Sequence, residues 1–270
     1  MIIDMIPILL TASVDTRGMK GAKFTAKERE KMYVDTLNYY IKLFGSEKYD
    51  TTLVFAENSG WSSGSIVNQL YKNDKVTVEY LSLALSDFVQ EKGKSYNEML
   101  LIDKAIEKSS SIKDNGCFFK VTGRFPIANL NVLVNEVYKI GGGVKFYCDC
   151  KDHNLYDWLH IPINGHAGEC RYYAVSLDFY NVYFKDKYTL MGIDTGVCVE
   201  QYFLDVIRKT KHLPGVKCRF RTQAHITGTG GHSLGKGWAF FYSTDNDSTI
   251  LKFKRGLRQL FRWVLPWWWC

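Results

Sequence analysis

The stretch IPILLTASV, residues 6–14, is a continuous apolar run that ends in small polar residues. A run of this kind is typical of a parallel strand that is buried on both faces. Thr25-Ala26-Lys27-Glu28 then fits a capping box, and the helix behind it carries an apolar stripe up to Gly45. Further strands are predicted over residues 51–60, 76–84 and 117–125, with a helix over 96–108. This alternation predicts an α/β fold, a mostly parallel sheet flanked by crossover helices.

In the second half of the chain, predicted strands and helices alternate less regularly. Residues 144–150 are predicted to form a strand, and the aromatic-rich segment 171–184 is predicted to form a helix that packs over the sheet. Residues 196–209 predict another amphipathic helix, and residues 227–237 form a glycine-dense loop. No linker or internal repeat interrupts the pattern. We therefore expect one domain over residues 1–250 and a separate tail over residues 251–270.

Composition and charge limit the class of protein. The chain has 270 residues, of which 46% are hydrophobic, so it has enough apolar side chains for a large core. Its net charge is +7, and the last twenty residues supply +5 of it through Lys252, Lys254, Arg255, Arg258 and Arg262. Nucleic-acid binding over the whole surface is therefore not expected. Seven cysteines and an N-terminus without a secretory pattern favour reduced thiols in the cytoplasm.

Polar and small residues follow each of the predicted strands. In open α/β sheets the ligand binds at the carboxyl ends of the strands, so these residues are expected to meet. Arginine binds phosphate oxygens bidentately and lysine acts as a point charge, so Arg124 and Lys94, together with Lys120, are predicted to hold a diphosphate. The candidate donor-binding residues are Thr11, Ala12, Ser13, Glu57, Ser59, Gly93, Lys94, Glu98, Lys120, Thr122, Gly123 and Arg124.

Four of these residues also fit structural roles, and both interpretations of each stay open at the level of sequence. Lys120 either contacts the ligand or instead faces solvent or pairs with Glu98. Gly123-Arg124 either lines the ligand site or forms an ordinary bulge at the end of a strand. Glu57 either holds the ligand or only caps the turn that follows it.

Several blocks of the sequence carry a resemblance to a known family. TAS at 11–13, AENSG at 56–60, GKSYNEMLLIDKAI at 93–106, FFKVTGRFPIAN at 118–129 and ECRYYAVSLDFY at 169–180 follow one another in this order. In this order they resemble bacterial polysaccharide glycosyltransferases with a GT-A-like, Rossmann-type fold, and the K-x-T-G-R-[FY] block is the most specific. The resemblance spans residues 6–210. It implies transfer of a sugar from a nucleotide-sugar donor to a glycan acceptor in surface polysaccharide synthesis.

The resemblance also implies roles for later residues. A carboxylate at the start of a later helix often acts as the base, and Glu200 or Asp194 fits this role by order; Glu200 also fits a helix-surface residue. Arg171 is a candidate acceptor contact. The segment over residues 224–237, which contains the glycine-dense loop, carries His225, His232 and Lys236, and it is predicted to fold over the donor or to form a plain surface loop.

The same resemblance raises the question of whether the protein uses a divalent metal. Many GT-A enzymes place an Asp-x-Asp metal motif where the fourth strand ends, but this chain has Thr122-Gly123-Arg124 there. The cofactor is therefore unknown, and a divalent metal such as Mn²⁺ or Mg²⁺ stays open. Asp149 is the alternative metal ligand. Cys148 and Cys150 beside it have no second cysteine pair at the spacing of a zinc site.

The tail predicts an amphipathic helix over residues 251–265. Phe253, Leu257, Leu260, Phe261 and Val264 form one stripe, and Lys254, Arg255, Arg258 and Arg262 lie opposite. Fifteen residues are too short to cross a bilayer. Together with Trp263, Trp267, Trp268 and Trp269 the pattern favours a helix in the membrane interface, on the cytoplasmic face of the membrane. The alternative is a helix docked on its own core with the tryptophans buried. An acceptor carried on a lipid diphosphate would suit a membrane-bound enzyme.

Two other functions compete with sugar transfer. A sugar nucleotidyltransferase needs a basic, glycine-rich loop after the first strand, where Arg17, Lys20 and Lys23 stand at loose spacing. A non-catalytic carbohydrate- or lipid-binding module would bind without releasing a nucleoside diphosphate. Dehydrogenase chemistry is disfavoured because the first turn lacks G-x-G-x-x-G.

Overall fold

The structure is a computed structural model, and it describes residues 5–18, 22–83, 88–160, 165–229, 241–242 and 249–264. The main sheet has the strand order β3-β2-β1-β4-β6-β5-β7. Its strands are β1 (Ile8–Ala12), β2 (Thr51–Glu57), β3 (Val76–Ser82), β4 (Cys117–Thr122), β5 (Phe146–Asp152), β6 (His166–Ser176) and β7 (Val216–Lys217). A separate antiparallel pair consists of β8 (Gly228–Thr229) and β9 (Phe241–Tyr242).

The helices lie between these strands and after them. They are α1 (Ala26–Gly45), α2 (Ser63–Val67), α3 (Gly93–Lys108), α4 (Ser110–Asn115), α5 (Leu130–Tyr138), α6 (Asn154–Trp158), α7 (Leu177–Tyr183), α8 (Val199–Thr210) and α9 (Thr249–Val264). Short 3-10 turns lie at Gln90–Lys92, Gly141–Gly143 and Lys187–Leu190. The predicted first helix is confirmed with its capping box, in which Glu28 N donates to Thr25 Oγ1 at 3.3 Å. It ends at Gly45, where a Cβ would collide with the side chain of Asn73.

The sheet is mostly parallel, which confirms the predicted α/β class. β1 pairs in parallel with β2 on one side and with β4 on the other, and β3 continues in parallel beyond β2. The chain therefore builds outward from β1 through β2 and β3, and then returns to add β4 on the opposite side. Such a reversal of strand order creates a crevice between the carboxyl ends of β1 and β4.

The prediction of a helix over residues 171–184 was wrong in its first part. Residues up to Ser176 belong to β6, which runs antiparallel between β4 and β5, and the helix begins only at Leu177. The strand is buried on both faces, since the neighbouring Tyr172 and Tyr173 point to opposite sides and are both buried. Ser176 ends the strand and caps α7 by accepting from Phe179 N at 3.3 Å. Burial on both faces removed the alternation that would have indicated a strand.

Two apolar layers cover the sheet. One layer packs α1 and α5 against one face, and the other packs α3, α7 and α8 against the opposite face. The second layer contains a close aromatic group around Phe146, which stacks on Phe179 with ring centroids 5.4 Å apart. These layers fix the carboxyl edge of the sheet, because the loops that follow β1, β2 and β4 all leave from that edge.

The tail forms α9, as predicted, and the helix docks on the domain through one polar face. Arg262 donates to both oxygens of Asp149 in β5, at 3.0 and 2.8 Å, and to Phe220 O at 2.7 Å. One turn earlier, Gln259 donates to Arg221 O at 2.8 Å and accepts from Gln223 N at 2.9 Å. The docked-helix alternative is therefore correct for this face of the helix.

The apolar stripe of α9 faces outward. Phe253 is 71% exposed, and Leu257, Leu260, Trp263 and Val264 are exposed as well. Arg262 must be removed from the predicted membrane-facing cations, because it pairs with Asp149 on the opposite side of the helix. The side chain of Lys254 and the residues Trp267, Trp268 and Trp269 lie outside what the structure describes. Within the described residues, no helix has the length and apolar character needed to cross a bilayer.

Candidate active site

A cavity of about 560 Å³ opens at the carboxyl edge of the sheet, and we call it the edge cavity. Its wall comes from the ends of β1 and β4, the loop after β1, α1, α3, β6 and the first turn of α8. The predicted site residues that line it are Thr11, Ala12, Ser13, Lys94, Glu98, Thr122, Arg124, Arg171 and Glu200. The structure therefore brings together residues that lie up to 189 positions apart in the sequence.

The floor of the edge cavity is the crevice between β1 and β4. Thr11 and Thr122 lie side by side in register across the two strands. Gly123 continues β4 close to β1: its N–H donates to Thr11 O at 2.9 Å, and a Cβ on it would lie 3.0 Å from that oxygen. The glycine thus lets the two strand ends meet, and the next residue, Arg124, enters the cavity wall.

Three cations from separate elements converge on this cavity. Arg124 follows β4, Lys94 lies in the first turn of α3, and Arg29 lies in the first turn of α1. Arg29 donates from Nε to Ser13 O at 2.6 Å, whereas the buried Nη1 of Arg124 has no hydrogen-bond partner in the described part of the chain. A buried cationic N–H without an acceptor is unfavourable, so the cluster is suited to receive an anionic ligand.

The cations of the cluster also affect one another. Burial lowers the pKa of Lys94 to about 8, and the positive charge of Arg124 acts in the same direction. Burial also lowers the pKa of Arg29, and Arg124 again adds to the effect. Because like charges repel, the three cations destabilise one another, and an anion that binds among them relieves this repulsion.

Lys120 is fully buried in β4 and does not line the edge cavity. Its ammonium pairs with Glu98 Oε1, and it also donates to Thr122 Oγ1 at 3.0 Å and to Cys170 O at 2.7 Å. Thr11 Oγ1 donates to the same oxygen of Glu98 at 3.2 Å. The predicted pair with Glu98 is thus confirmed. In this arrangement Lys120 orients Glu98, whose carboxylate lines the cavity.

The turn after β2 supports the cavity from behind. Glu57 is fully buried and accepts hydrogen bonds from Val14 N at 3.0 Å, Ser59 N at 2.9 Å and Trp61 N at 2.8 Å. Neither Glu57 nor Ser59 lines the edge cavity, whereas Asn58 between them does. These contacts support the interpretation of Glu57 as a residue that caps the turn.

Glu200 is a carboxylate that the fold brings to the edge cavity, in the first turn of α8. The helix sits close to β6 because Gly168 has no side chain; a Cβ there would lie 2.5 Å from Phe203 Cβ. Asp194, the other candidate base, does not line the cavity and pairs with Lys92 at 2.6 Å. Of the two predicted bases, Glu200 is the one whose position allows it to reach a substrate in this cavity.

The predicted loop residues lie in different places. His225 does not line the edge cavity; its N–H donates to Asn129 Oδ1 at 2.8 Å, in the segment that runs beside residues 126–128. Burial lowers the pKa of His225, and the positive charge of Arg255 on α9 acts in the same direction. His232 and Lys236 lie outside the described residues.

Asp149, the candidate metal ligand, has a different role in the structure. Both oxygens of Asp149 accept from Arg262, and Tyr172 OH donates to Oδ2 at 2.7 Å. Arg171, in the cavity wall, donates from Nε to Glu169 Oε1 at 2.7 Å. Among the residues that the structure describes, no group of three or more His, Cys, Asp or Glu side chains has the arrangement of a metal site.

Arg29 and Asn97 line the cavity as well, although neither was predicted as a site residue from sequence. Arg29 lies in the charged run KEREK and resembles a solvent-exposed helix residue. Arg29 precedes Tyr33, a member of the buried stripe, by four residues, and this spacing could have indicated that Arg29 lies on the buried face of the helix. In the structure Arg29 Nη2 lies 3.4 Å from Tyr33 OH. The buried Oδ1 of Asn97 has no hydrogen-bond partner within the described ranges.

Comparisons with known proteins add information about the fold. No protein-family model and no curated protein sequence matches the chain. Among solved structures, it is similar to the bifunctional glycosyltransferase WbbM, with 10% identity over 76% of this chain and 37% of that one and a TM-score of 0.42. It is also similar to mouse xyloside xylosyltransferase 1, with 10% identity over 80% of this chain and 86% of that one and a TM-score of 0.47.

A third similar structure is the galactosyltransferase LgtC bound to donor and acceptor sugar analogues. Its identity is 5% over 74% of this chain and 69% of that one, with a TM-score of 0.38. All three of these proteins are glycosyltransferases. Because the three TM-scores lie below 0.5, the function proposed for this chain rests on the residues of the edge cavity.

Proposed function

We propose that the chain is a glycosyltransferase that binds a nucleotide-sugar donor in the edge cavity. The observation that carries this proposal is the buried Nη1 of Arg124, which has no acceptor among the described residues and lines a cavity shared with Lys94 and Arg29. Guanidinium and ammonium groups are the usual protein partners of phosphate oxygens. The donor diphosphate lies among these three cations, and its base and ribose extend along the loop that follows β1.

The reaction joins an acceptor hydroxyl to the donor sugar. The bond between the anomeric carbon and the diphosphate oxygen breaks, and a bond from the acceptor oxygen to that carbon forms. In an inverting transfer, Glu200 takes the proton of the acceptor hydroxyl as the general base. The cations stabilise the negative charge that develops on the departing nucleoside diphosphate. We place the reaction in surface polysaccharide synthesis, with a lipid-linked glycan as the acceptor, on the basis of the sequence resemblance.

One observation favours a second candidate, a sugar nucleotidyltransferase. Arg17 follows β1, lines the edge cavity and has a left-handed backbone with φ +49°, next to Gly18 with φ +74°. A basic turn at this position suits the phosphates of a nucleoside triphosphate. This reaction would join a sugar phosphate to a nucleoside triphosphate and release pyrophosphate.

A ligand screen by thermal shift separates the two candidates. The protein is screened against nucleotide sugars and nucleoside triphosphates, each with Mn²⁺, with Mg²⁺ and with EDTA. A glycosyltransferase is stabilised by one class of nucleotide sugar and releases a nucleoside diphosphate when an acceptor is added. A nucleotidyltransferase consumes nucleoside triphosphate and releases pyrophosphate. The matching metal series shows whether binding depends on a divalent ion.

Variants connect the result to the site. Glu200→Gln should keep donor binding and lose turnover, because the amide cannot accept the acceptor proton. Asp205→Asn serves as the control, since it neutralises an exposed carboxylate of the same helix that does not line the edge cavity. If Glu200→Gln turns over at the wild-type rate, Glu200 is not the base. If no nucleotide sugar or triphosphate stabilises the wild-type protein, the non-catalytic module gains support.

We also propose that α9 attaches the protein to the cytoplasmic face of an anionic membrane. The helix docks through Gln259 and Arg262, which leaves its apolar stripe exposed on the outer side, and Arg258 is exposed as well. An exposed apolar stripe with adjacent cations and a tryptophan is typical of a helix that lies in the bilayer interface. Each cation near an anionic leaflet contributes about 1 kcal/mol.

Sedimentation with lipid vesicles tests the membrane proposal. The wild-type protein should bind vesicles that contain anionic lipid and bind neutral vesicles more weakly. Leu260→Gln should release it, because Leu260 lies in the exposed stripe. Val182→Gln is the matched control, since Val182 is an exposed apolar residue of α7. Equal binding of Leu260→Gln and Val182→Gln would show that α9 is not the attachment site.

A further inference from the structure

The side of α3 that faces the edge cavity consists of residues three or four positions apart, which lie on one face of a helix. The residues of α3 that line the cavity at this spacing are Lys94, Asn97, Glu98 and Leu101. Lys94 lies in the first turn, Asn97 and Glu98 lie one turn further along, and Leu101 follows one turn later. Along the helix, this face therefore changes from a cation to two oxygen-bearing side chains and then to an apolar side chain.

The carboxamide of Asn97 has a fixed orientation. Its Nδ2 donates to Val89 O at 2.8 Å and to Gly93 O at 2.7 Å. If the nitrogen and the oxygen of the amide were exchanged, the oxygen would lie against these two carbonyl oxygens, so only one orientation is favourable. The two hydrogen bonds use both hydrogens of Nδ2. The polar group of Asn97 that is left for other contacts is therefore an acceptor.

That acceptor, Oδ1 of Asn97, is buried and has no hydrogen-bond partner in the part of the chain that the structure describes. The residue as a whole is only 6% exposed. A buried amide oxygen without a donor is unfavourable and is uncommon in native proteins. The hydrogen bonds of Nδ2 prevent the amide from rotating toward another donor. Because Asn97 lines the edge cavity, its oxygen is suited to accept a hydrogen bond from a ligand there.

Glu98, the neighbour of Asn97, provides a second acceptor. Lys120 and Thr11 both contact Oε1 of Glu98, whereas Oε2 accepts no hydrogen bond from the residues that the structure describes. Neither this carboxylate oxygen nor the amide oxygen of Asn97 carries a hydrogen to donate. The part of a ligand that fits this turn of α3 therefore carries hydrogen-bond donors. Hydroxyl groups on neighbouring carbons of a sugar meet this requirement.

The order of groups along α3 favours the sugar of the donor over its base. In the proposed function the diphosphate lies at Lys94, and the base and ribose extend along the loop that follows β1. A nucleotide sugar carries its base and its sugar on opposite sides of the diphosphate. The next groups along α3 after Lys94 are the two acceptors. Leu101 lies beyond them and is 2% exposed, so it suits the carbon-bound hydrogens of a sugar ring.

We infer that Asn97 is a specificity-determining residue, and that its Oδ1 accepts a hydrogen bond from one hydroxyl group of the transferred sugar. The inference rests on the proposed function and deepens it, because it assigns a contact that distinguishes one donor sugar from another. A sugar with a hydroxyl at this position satisfies the oxygen, whereas a sugar without it leaves the oxygen buried and unpaired. A site built in this way rejects the analogue that lacks the hydroxyl.

Deoxyfluoro analogues of the donor test this inference. Fluorine is close to a hydroxyl group in size but carries no hydrogen to donate. The nucleotide hexose that gives the largest thermal shift is compared by calorimetry with analogues in which each sugar hydroxyl in turn is replaced by fluorine. At one carbon or more, the wild-type protein should bind the hydroxyl form at least about tenfold more tightly, because the fluoro form leaves Oδ1 without a donor.

Asn97→Leu identifies the residue that is responsible. The variant removes Oδ1 at nearly constant size, so the preference for hydroxyl over fluorine should disappear at one carbon and stay at the wild-type value at the others. The overall affinity and the unfolding temperature are not diagnostic, because the variant also loses the hydrogen bonds to Val89 O and Gly93 O. If Asn97→Leu does not fold, Asn97→Ala provides the same comparison.

Asn58→Leu is the matched control. Asn58 also lines the edge cavity, but its Oδ1 already accepts a hydrogen bond from Ser13 Oγ. This variant should keep the hydroxyl preference of the wild type at every carbon. Wild-type preferences in Asn97→Leu overturn the inference, which is the result expected if Oδ1 binds only solvent or the base. A wild-type protein without a hydroxyl preference at any carbon also overturns it, whether or not the Asn97 variants fold.

The same measurements separate the failure of this inference from the failure of the proposed function. If no nucleotide sugar binds the wild-type protein, the proposed function is wrong and the inference falls with it. If a nucleotide sugar binds and Asn97→Leu keeps every hydroxyl preference, the donor site stands and only the role of Asn97 is wrong.

Discussion

Arg124 in the edge cavity and Arg262, through which α9 contacts the domain, illustrate two uses of a partly buried arginine. Arg262 donates to both oxygens of Asp149 and to Phe220 O, and its side chain is 11% exposed. Nε of Arg262 and Nη1 of Arg124 are both buried without a hydrogen-bond partner in the described residues, but only Arg262 has an ion-pair partner there, and only Arg124 lines the edge cavity. The first arginine therefore completes a contact within the protein, and the second leaves hydrogen-bonding capacity for a ligand.

The comparison shows why charge in the sequence does not reveal function by itself. Both arginines lie next to apolar residues, and both were assigned to a binding surface from sequence. The two arginines differ because Arg262 has a carboxylate partner. That partner is Asp149, which lies 113 positions earlier in the sequence and accepts hydrogen bonds from Arg262. Buried cations are paired when they are structural, so an incompletely paired one in a cavity is a candidate for ligand binding. Three predictions test this distinction.

The largest effect is expected for the paired arginine, in stability. Asp149→Asn leaves the Arg262 guanidinium without its counter-charge, and breaking a buried ion pair costs about 3 kcal/mol. The free energy of unfolding in urea should fall by this amount, or α9 should become sensitive to limited proteolysis. The affinity for the nucleotide sugar should stay at the wild-type value. Lys31→Ala is the control, because it breaks the exposed pair of Lys31 with Asp35 and should cost below about 0.5 kcal/mol.

The next effect is expected for the unpaired arginine, in donor binding. Arg124→Ala should weaken nucleotide-sugar binding about 100-fold in calorimetry, because it removes charge-assisted hydrogen bonds to the diphosphate. Arg124→Lys keeps the charge without the fork and should lose about tenfold. Unliganded Arg124→Ala should unfold at the wild-type temperature or slightly above it, because repulsion with Arg29 and Lys94 is relieved; Arg124→Lys keeps this repulsion and should unfold at the wild-type temperature. Wild-type donor affinity in Arg124→Ala would contradict the distinction between the two arginines.

The smallest effect concerns Lys94 and depends on pH. Its pKa is lowered to about 8, so the ammonium that attracts the diphosphate is present below pH 8 and is lost above it. Donor affinity should therefore fall about fivefold between pH 8 and pH 9, since the protonated fraction of Lys94 falls from about one half to about one tenth and binding of the anion requires the ammonium. Lys94→Arg should bind with an affinity that is independent of pH over this range. A pH profile shared by wild type and Lys94→Arg would assign the titration to another group.

Much of the fold could be predicted from local patterns in the sequence. The run after Ile6 formed β1, Thr25 and Glu28 formed the capping box, and the apolar stripe after Val199 formed α8. Each of these patterns depends on residues that are close together in the chain. β6 was missed in the predicted helix because it is buried on both faces, so the spacing of its apolar residues does not distinguish strand from helix.

The residues of the candidate site could be predicted only where they lie at the carboxyl ends of strands. Thr11, Thr122 and Arg124 were found because the carboxyl ends of parallel strands must meet. Arg29 could not be found in this way, since its place in the cavity depends on how α1 crosses the sheet. The pair of Lys92 with Asp194 could not be found either, because nothing local indicates that the two segments touch.

The contacts of Glu57 have a consequence for the motion of the segments that follow β1 and β2. A single carboxylate accepts the amides of Val14, Ser59 and Trp61, and these amides belong to the segments after β1 and β2. One opening event exposes all three, so their hydrogen–deuterium exchange should proceed at a common rate. A common rate would show that the two segments behave as one rigid body on the timescale of exchange, so that a ligand of the edge cavity would meet a surface that is already formed.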